Sequence, residues 1–212
     1  MSEKKLPLEV SPAGVAGFAK YLYEKDTKFS RGDESKAKYS LKLLVPKDKL
    51  ATRFGHIKNG SEPIPSEEWL AHIQKMHEQA GGKAGEGPVR DGDKIRKKDG
   101  DPVEAWQGHY VVTFKTAHPP QLVDTKKRDL PDDVRIFGGD VVKVAYRPSV
   151  YEGFGGGITL YLNAVMLIDK RSSGSATALA ALGDNEEGYV AERSEKDSFG
   201  GKEGVADNGG DY

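Results

Sequence analysis

The stretch from Gly138 to Asp169 constrains the fold more than any other: GGDVVKVAYRPSVYEGFGGGITLYLNAVMLID. Val141–Tyr146 and Ile158–Ile168 are rich in the β-branched and aromatic residues that suit a pleated surface. The connection between them is rich in glycine and aromatics, so the two runs are expected to pair as a long β-hairpin. Side chains alternate along a strand. Val142, Val144 and Tyr146 therefore share one face, with Lys143 and Arg147 on the other side. Periodicity does not say which of the two is core. In the second run Ile158, Leu160, Leu162, Ala164, Met166 and Ile168 form an apolar face, and Tyr161 and Asn163 point away from it.

The rest of the chain supplies partners for such a hairpin. Val15–Tyr23 reads as a strand bent at Gly17, with Lys20 within it. In Lys38–Val45 the residues Tyr39, Leu41, Leu43 and Val45 line one face, and Lys38, Ser40 and Lys42 give the other a basic character. A short helix is expected between Leu50 and Gly60. A longer one starts at Ser66 as N-cap with Glu67 and Glu68 against the helix dipole. Trp69, Ile73, Met76 and Ala80 follow at helical spacing, which makes Trp69 a core anchor, and Gly81-Gly82 stops the helix. Residues 81–108 read as one long loop carrying the basic cluster Lys94–Lys98, with Lys94, Arg96 and Lys97 as candidate phosphate contacts. His109–Thr116 alternates again and includes Lys115; Gln121–Asp124 is a further short strand. One helix among five or six short strands is the pattern of an OB-fold, a partly open Greek-key barrel. A β-sandwich is the alternative.

Charge divides the chain of 212 residues. Residues 1–170 carry 28 basic and 24 acidic side chains, a net of +4; residues 171–212 carry four and nine, a net of −5. The expected organisation is a binding domain over 1–170 and a flexible acidic tail over 171–212, too poor in apolar surface to offset its ordering entropy. A solubilising tail is the plainer reading of the same charges. There is no cysteine, which removes disulfides, zinc knuckles and thiol nucleophiles. No run of about 18 apolar residues predicts a membrane span, and the opening MSEKKLPLEV lacks the apolar core of a signal peptide.

Catalytic motifs are lacking. Gly153–Gly157 has no Lys-Ser/Thr ending and lies between strands, unlike a phosphate-binding loop. His72 and His77 are five apart, so they do not share a helix face as paired metal ligands. Asp91-Gly92-Asp93 and Asp99-Gly100-Asp101 lack calcium-loop spacing and read as turns. No cofactor and no metal is expected. Binding chemistry is better represented. Cations that neutralise phosphates and rings that stack on bases are what a sequence-independent single-strand binder needs. The candidate residues are Lys20, Lys38, Lys42, Lys94, Arg96, Lys97, Lys115, Lys143, Tyr146, Arg147, Tyr151, Phe154 and Tyr161. Tyr151 and Phe154 lead, because a glycine-rich connection favours exposed rings.

Gly138-Gly139-Asp140, Lys143, Tyr146, Tyr151, Gly157-Ile158 and Asn163-Ala164-Val165 resemble the C-terminal strand pair of tailed-bacteriophage single-stranded DNA-binding proteins. The resemblance covers residues 10–170 in element order and is specific over Gly138–Asp169. It implies an OB-fold, sequence-independent binding of single-stranded DNA, and a role in phage replication and recombination in the cytoplasm of the infected host. It also implies that Lys143, Tyr146 and Tyr151 lie on the DNA path. Members of that family often end in an acidic tail closed by an aromatic residue that recruits replication proteins. The ending Gly-Gly-Asp-Tyr212 fits, although glycine, Lys196 and Lys202 dilute it. A homodimer is a further expected partner. The alternative function is a phage structural or assembly β-sandwich that binds no nucleic acid.

Overall fold

The computed structural model describes residues 6–27, 33–49 and 66–171. The helix expected between Leu50 and Gly60 and the tail expected over 171–212 lie outside them, save for Arg171. In chain order the elements are β1 (Glu9–Val10), β2 (Gly14–Phe18), β3 (Tyr39–Pro46), α1 (Ser66–Gln79), β4 (Val89–Asp91), β5 (His109–Thr116), β6 (Gln121–Val123), β7 (Val141–Tyr151) and β8 (Gly157–Asp169).

Five of these strands close a barrel. The antiparallel pairs β2–β3, β3–β5, β7–β8 and β2–β7 are completed by a parallel pair between β5 and β8. That is the OB-type barrel expected from the sequence. β1 adds to β7, β6 to β8 and β4 to β5. The interior is filled by Leu41, Leu43 and Val45 of β3, Val112 and Phe114 of β5, Val142, Val144 and Tyr146 of β7, and Ile158, Leu160 and Leu162 of β8. Trp69, Leu70 and Ile73 close one end from α1.

Three local departures from the sequence pattern have physical causes. β2 stops at Phe18 instead of running to Tyr23, and Lys20–Leu22 forms a 3-10 turn. The bend is at Gly17, where pairing with β3 slips; a Cβ there would stand 2.9 Å from the Leu44 side chain. In β8 the apolar face does not continue from Ile158 to Ile168. Ala145 pairs with Ala164 and Tyr146 with Leu162, so Asn163 is the extra residue of a bulge. Beyond it the phase flips: Val165 is buried and Ile168 is exposed. Residues 81–108 are not one loop, since Val89–Asp91 pairs with β5 along Val112–Tyr110. Three residues are too few for a period to register.

The helix end follows its sequence signals. Gly81 takes φ +87°, its N–H donates to the Glu78 carbonyl, and the Gly82 N–H donates to the His77 carbonyl, the paired bonds of a Schellman stop. The Gly-Gly-Asp before β7 is a structural turn. Gly139 has φ +99° and its N–H donates to the Ala16 carbonyl. The fully buried Asp140 carboxylate accepts from the Phe137 and Arg171 N–H groups.

A buried chain of hydrogen bonds fastens helix to barrel. Trp69 Nε1 donates to Tyr146 Oη at 2.8 Å, Tyr146 Oη donates to Glu9 Oε2 at 2.8 Å, and His72 Nε2 lies 3.2 Å from Glu9 Oε1. Burial and the adjacent Glu9 hold the Tyr146 hydroxyl well above its ordinary pKa, so it stays protonated as a donor. Tyr146→Phe removes the acceptor of the Trp69 donor and one donor to Glu9. The expected cost is about 1–3 kcal/mol. It should appear as a lower urea midpoint with an unchanged m-value, and an unchanged midpoint refutes the role of the chain.

Candidate nucleic-acid interface

β3 and β5 lie side by side, and their outward residues form the floor of a groove of about 750 Å³. Register puts Lys42 opposite Thr113 and Ser40 opposite Lys115, and Lys115 opposite Tyr161 of β8. Arg90 of β4 and Thr159 of β8 extend the floor. Four aromatic residues line it: Phe18, Tyr21, Trp106 and Tyr151.

Each ring is placed by local sequence. Phe18 is 44% exposed at the end of β2; its ring centroid lies 5.3 Å from that of Tyr21. Trp106 arrives on a loop folded back on itself. A Cβ at Gly92 would sit 2.1 Å from the Trp106 carbonyl oxygen, so only glycine permits the return. Asp91 and Asp93 staple that loop. Asp91 accepts from the Asp93 N–H, Asp93 accepts from the Gly108 N–H at 2.7 Å, and Lys47 bonds both carboxylates. These ties hold both aspartates below the usual carboxylate range, Lys47 being the first cause in each case. The aspartate-glycine pair at 91–92 is thus a turn, as its sequence indicates.

Tyr151 is 37% exposed as the last residue of β7. The connection after it is shorter than the sequence implied, because β7 and β8 pair all the way from Val141–Asp169 to Tyr151–Gly157. Its glycines serve close approach. A Cβ on Gly156 would lie 2.3 Å from the Ala80 carbonyl oxygen, and one on Gly157 2.5 Å from the His77 ring. Buried His77 accepts from the Ile158 N–H through Nδ1 at 3.2 Å. The end of α1 therefore grips the hairpin tip that carries Tyr151.

The floor is electropositive and partly desolvated. Lys42 Nζ stands 4.5 Å from the Trp106 ring centroid, a cation–π contact. Its pKa is lowered first by burial and then by Lys115 and Arg90, while Asp26 opposes the shift. Asp26 belongs to the groove lining as well and pushes up the Tyr21 hydroxyl, after burial. Among the described residues no three of His, Asp or Glu are placed to hold a metal ion.

Lys42, Lys115 and Tyr151 are the sequence candidates that line this groove. Tyr161 is half-buried and outward on β8, next to Lys115. Lys38 is exposed where its carbonyl accepts from the Asp26 N–H, just beyond the floor. The others are elsewhere. Tyr146 is 0% exposed and is a core residue, not a stacking ring; the inward face of β7 is the one it shares with Val142 and Val144. Lys143 and Arg147 point outward from β7, which is separated from the floor strands by β2 on one side and β8 on the other. Lys94, Arg96 and Lys97 are exposed but outside the groove lining, and Arg96 is turned onto the Asp93 and Ile95 carbonyls. The loop reaches the groove through Trp106 rather than through its basic cluster. Lys20 pairs with Glu24 at 2.9 Å on the far side of Phe18. The Phe154 side chain lies outside the described structure. Phe18, Tyr21, Arg90 and Trp106 were missed from sequence. Trp106 sits in a polar segment without a period, and only the return turn at Asp91-Gly92 pointed to an ordered loop.

A family model described as the single-stranded DNA-binding protein of Enterobacter phage Enc34 matches residues 19–197. The chain belongs to that family. In solved structures, the Enc34 single-stranded DNA-binding protein in complex with single-stranded DNA superposes with a TM-score of 0.53 at 18% identity, covering 78% of this chain and 88% of that one. The gp2.5 single-stranded DNA-binding protein of bacteriophage T7 gives a TM-score of 0.51 at 20% identity, covering 90% of this chain and 100% of that one. At these identities the likeness is one of fold. No curated protein matches the sequence. Among the described residues no helix is long and apolar enough to cross a membrane.

Within this Enc34-type barrel the electrostatics make a direct prediction. Lys42 should titrate below the ordinary lysine range in carbon-detected NMR. Lys115→Met should raise its pKa by removing a repelling charge, and Asp26→Asn should lower it further. A Lys42 titration insensitive to both changes contradicts the groove geometry.

Proposed function

We propose that this protein binds single-stranded DNA without sequence preference, along the outer face of β3 and β5. The observation that carries the reading is the coincidence in one groove of Lys42, Lys115 and Arg90 with the rings of Phe18, Tyr21, Trp106 and Tyr151. In OB barrels the face of the second and third barrel strands, flanked by the first-to-second and fourth-to-fifth strand loops, is the oligonucleotide platform. Here those strands are β3 and β5, and the flanking rings come from the ends of β2 and β7. Membership of a family described as single-stranded DNA-binding supports the same reading. The role is coating and protecting exposed strands during phage replication and recombination in the host cytoplasm. It is binding and not catalysis.

Stacking on a ring is worth about 1–3 kcal/mol per base whichever base it is, and each neutralised phosphate releases counterions. Titration with oligo-dT should quench Trp106 fluorescence, and affinity should fall steeply with salt. Trp106→Ala and Tyr151→Ala should each cost about 1–3 kcal/mol. Lys42→Met should reduce the slope of log K against log salt by about 1. Duplex DNA bound as tightly as single strands, or rings whose loss leaves affinity unchanged, overturns the proposal. pH adds an independent check. A phosphate beside Lys42 raises its depressed pKa, so between the free and bound values binding takes up a proton. Affinity should therefore weaken as pH rises through the depressed Lys42 pKa toward the ordinary lysine range, and Lys42→Arg should flatten that dependence.

The domain division follows from charge. Residues 1–170 are the DNA-binding unit, and the acidic residues of 171–212 compete with DNA for the groove or recruit replication proteins. Removing residues 172–212 should tighten DNA binding at low salt; equal or weaker binding argues against competition.

A further inference from the structure

A second cleft of about 420 Å³ adjoins the groove. Its lining includes Phe18, Lys20, Tyr23, Glu24, Arg135 and Phe137. Phe18 lines both the cleft and the groove, so the two form one surface that passes over the end of β2. Phe137 is 51% exposed, more than any other large apolar side chain of the described structure. Its loop is nonetheless firmly held. The Phe137 N–H donates to the buried Asp140 carboxylate, the Ile136 N–H donates to the Tyr23 hydroxyl, and Ile136 itself is buried. An exposed ring on a fixed backbone is a preorganised platform, since little ordering entropy remains to be lost when it is covered.

One cation lies near that ring and two line the cleft beside it. Arg135 lies 4.3 Å over the Tyr23 ring, and Lys170 lies 5.4 Å from the Phe137 centroid with its ammonium donating to the Arg135 carbonyl at 2.8 Å. Lys20 adds a third positive charge. Glu24, paired with Lys20, is the acid within the cleft lining.

We propose that this cleft is a second segment of the single-stranded DNA track, taking the nucleotides that leave the groove past Phe18. A base stacks on Phe137 and the flanking phosphates lie against Arg135, Lys170 and Lys20. This inference rests on the groove reading above and lengthens it. It also gives Lys20 a phosphate contact that the groove denies it.

The test compares two oligo-dT lengths on the intact protein, about four nucleotides for the groove alone and about twelve for groove plus cleft. Phe137→Ala should weaken the long oligonucleotide about ten-fold and leave the short one within two-fold. Arg135→Met should lower the salt slope for the long oligonucleotide only. Trp106→Ala serves as the groove control and should weaken both lengths. If Phe137→Ala and Arg135→Met leave the long oligonucleotide unaffected, or weaken both lengths equally, the cleft is not part of the track. If the wild-type protein binds neither length, the groove reading fails first and the cleft falls with it. Because Phe137 is exposed, an unchanged melting temperature for Phe137→Ala separates lost contact from lost fold.

Discussion

The bond from Tyr146 to Glu9 is the contact on which the placement of everything else depends. A carboxylate 2% exposed is costly to bury without donors. Tyr146 from β7 and His72 from α1 face its two oxygens, and Trp69 completes the chain by donating to the tyrosine. One residue of β1, one of β7 and two of α1 are thus fixed in relation to each other by directional bonds, where apolar packing alone would allow sliding. The position of α1 decides where its last turn ends. That turn carries His77 and Ala80, which hold the hairpin tip by its glycines. Tyr151 stands at the groove because the middle of the same hairpin strand is anchored through Tyr146.

This explains why the sequence was legible in some places and opaque in others. The β3 and β5 faces could be read because Leu41, Leu43 and Val45, and Val112 and Phe114, alternate with polar residues over most of each strand, the buried pair Leu44 and Val111 being the exception on the outer side. The helix could be read because acids begin it and two glycines end it. β7 could not be oriented, because a tyrosine suits both a core and a stacking surface. What settles it is Glu9, distant in sequence by |i−j| = 137, and no local pattern reports a partner that far away. The bulge at Asn163 is equally silent in a period count, since an apolar residue follows on either face. The basic run at Lys94–Lys98 is legible as charge alone, and the structure leaves Lys94, Arg96 and Lys97 exposed and outside the groove lining. Charge density draws attention, but exposure in a turn is satisfied by water and by nearby carbonyls. Trp106, which does line the groove, lies in a segment whose order is imposed by Gly92 and by the Lys47 bridge to two aspartates.

The groove is electrostatically unfavourable to the protein alone. Burial and two neighbouring cations depress Lys42, which means that its charged form is held against repulsion and partial desolvation. Such an arrangement costs folded stability, the kind of cost a site proposed to bind an anion would carry. Trp106 partly offsets it by placing a ring face against the ammonium. Asp26 offsets it further from the opposite side. On the proposed reading, an incoming phosphate would relieve the repulsion between Lys42, Lys115 and Arg90 with little rearrangement, because the strands that carry them are already hydrogen-bonded in register.

The same arrangement argues against base readout. Discrimination among bases needs donors and acceptors aimed at base edges from fixed positions. The groove lining offers the hydroxyls of Ser40, Thr113 and Thr159, with Asp26 and Arg90, set among four rings and two ammonium groups, and Asp26 and Arg90 already act on Lys42. Rings accept any base, and cations bind a phosphate that every nucleotide carries. A chain that must cover whatever strand is exposed gains nothing from edge contacts, since each would penalise most sequences it meets. On the proposed reading, lack of discrimination would follow from which side chains the barrel turns outward. It also makes the surface easy to lengthen, because a further ring and a further cation extend a track that has no register to preserve.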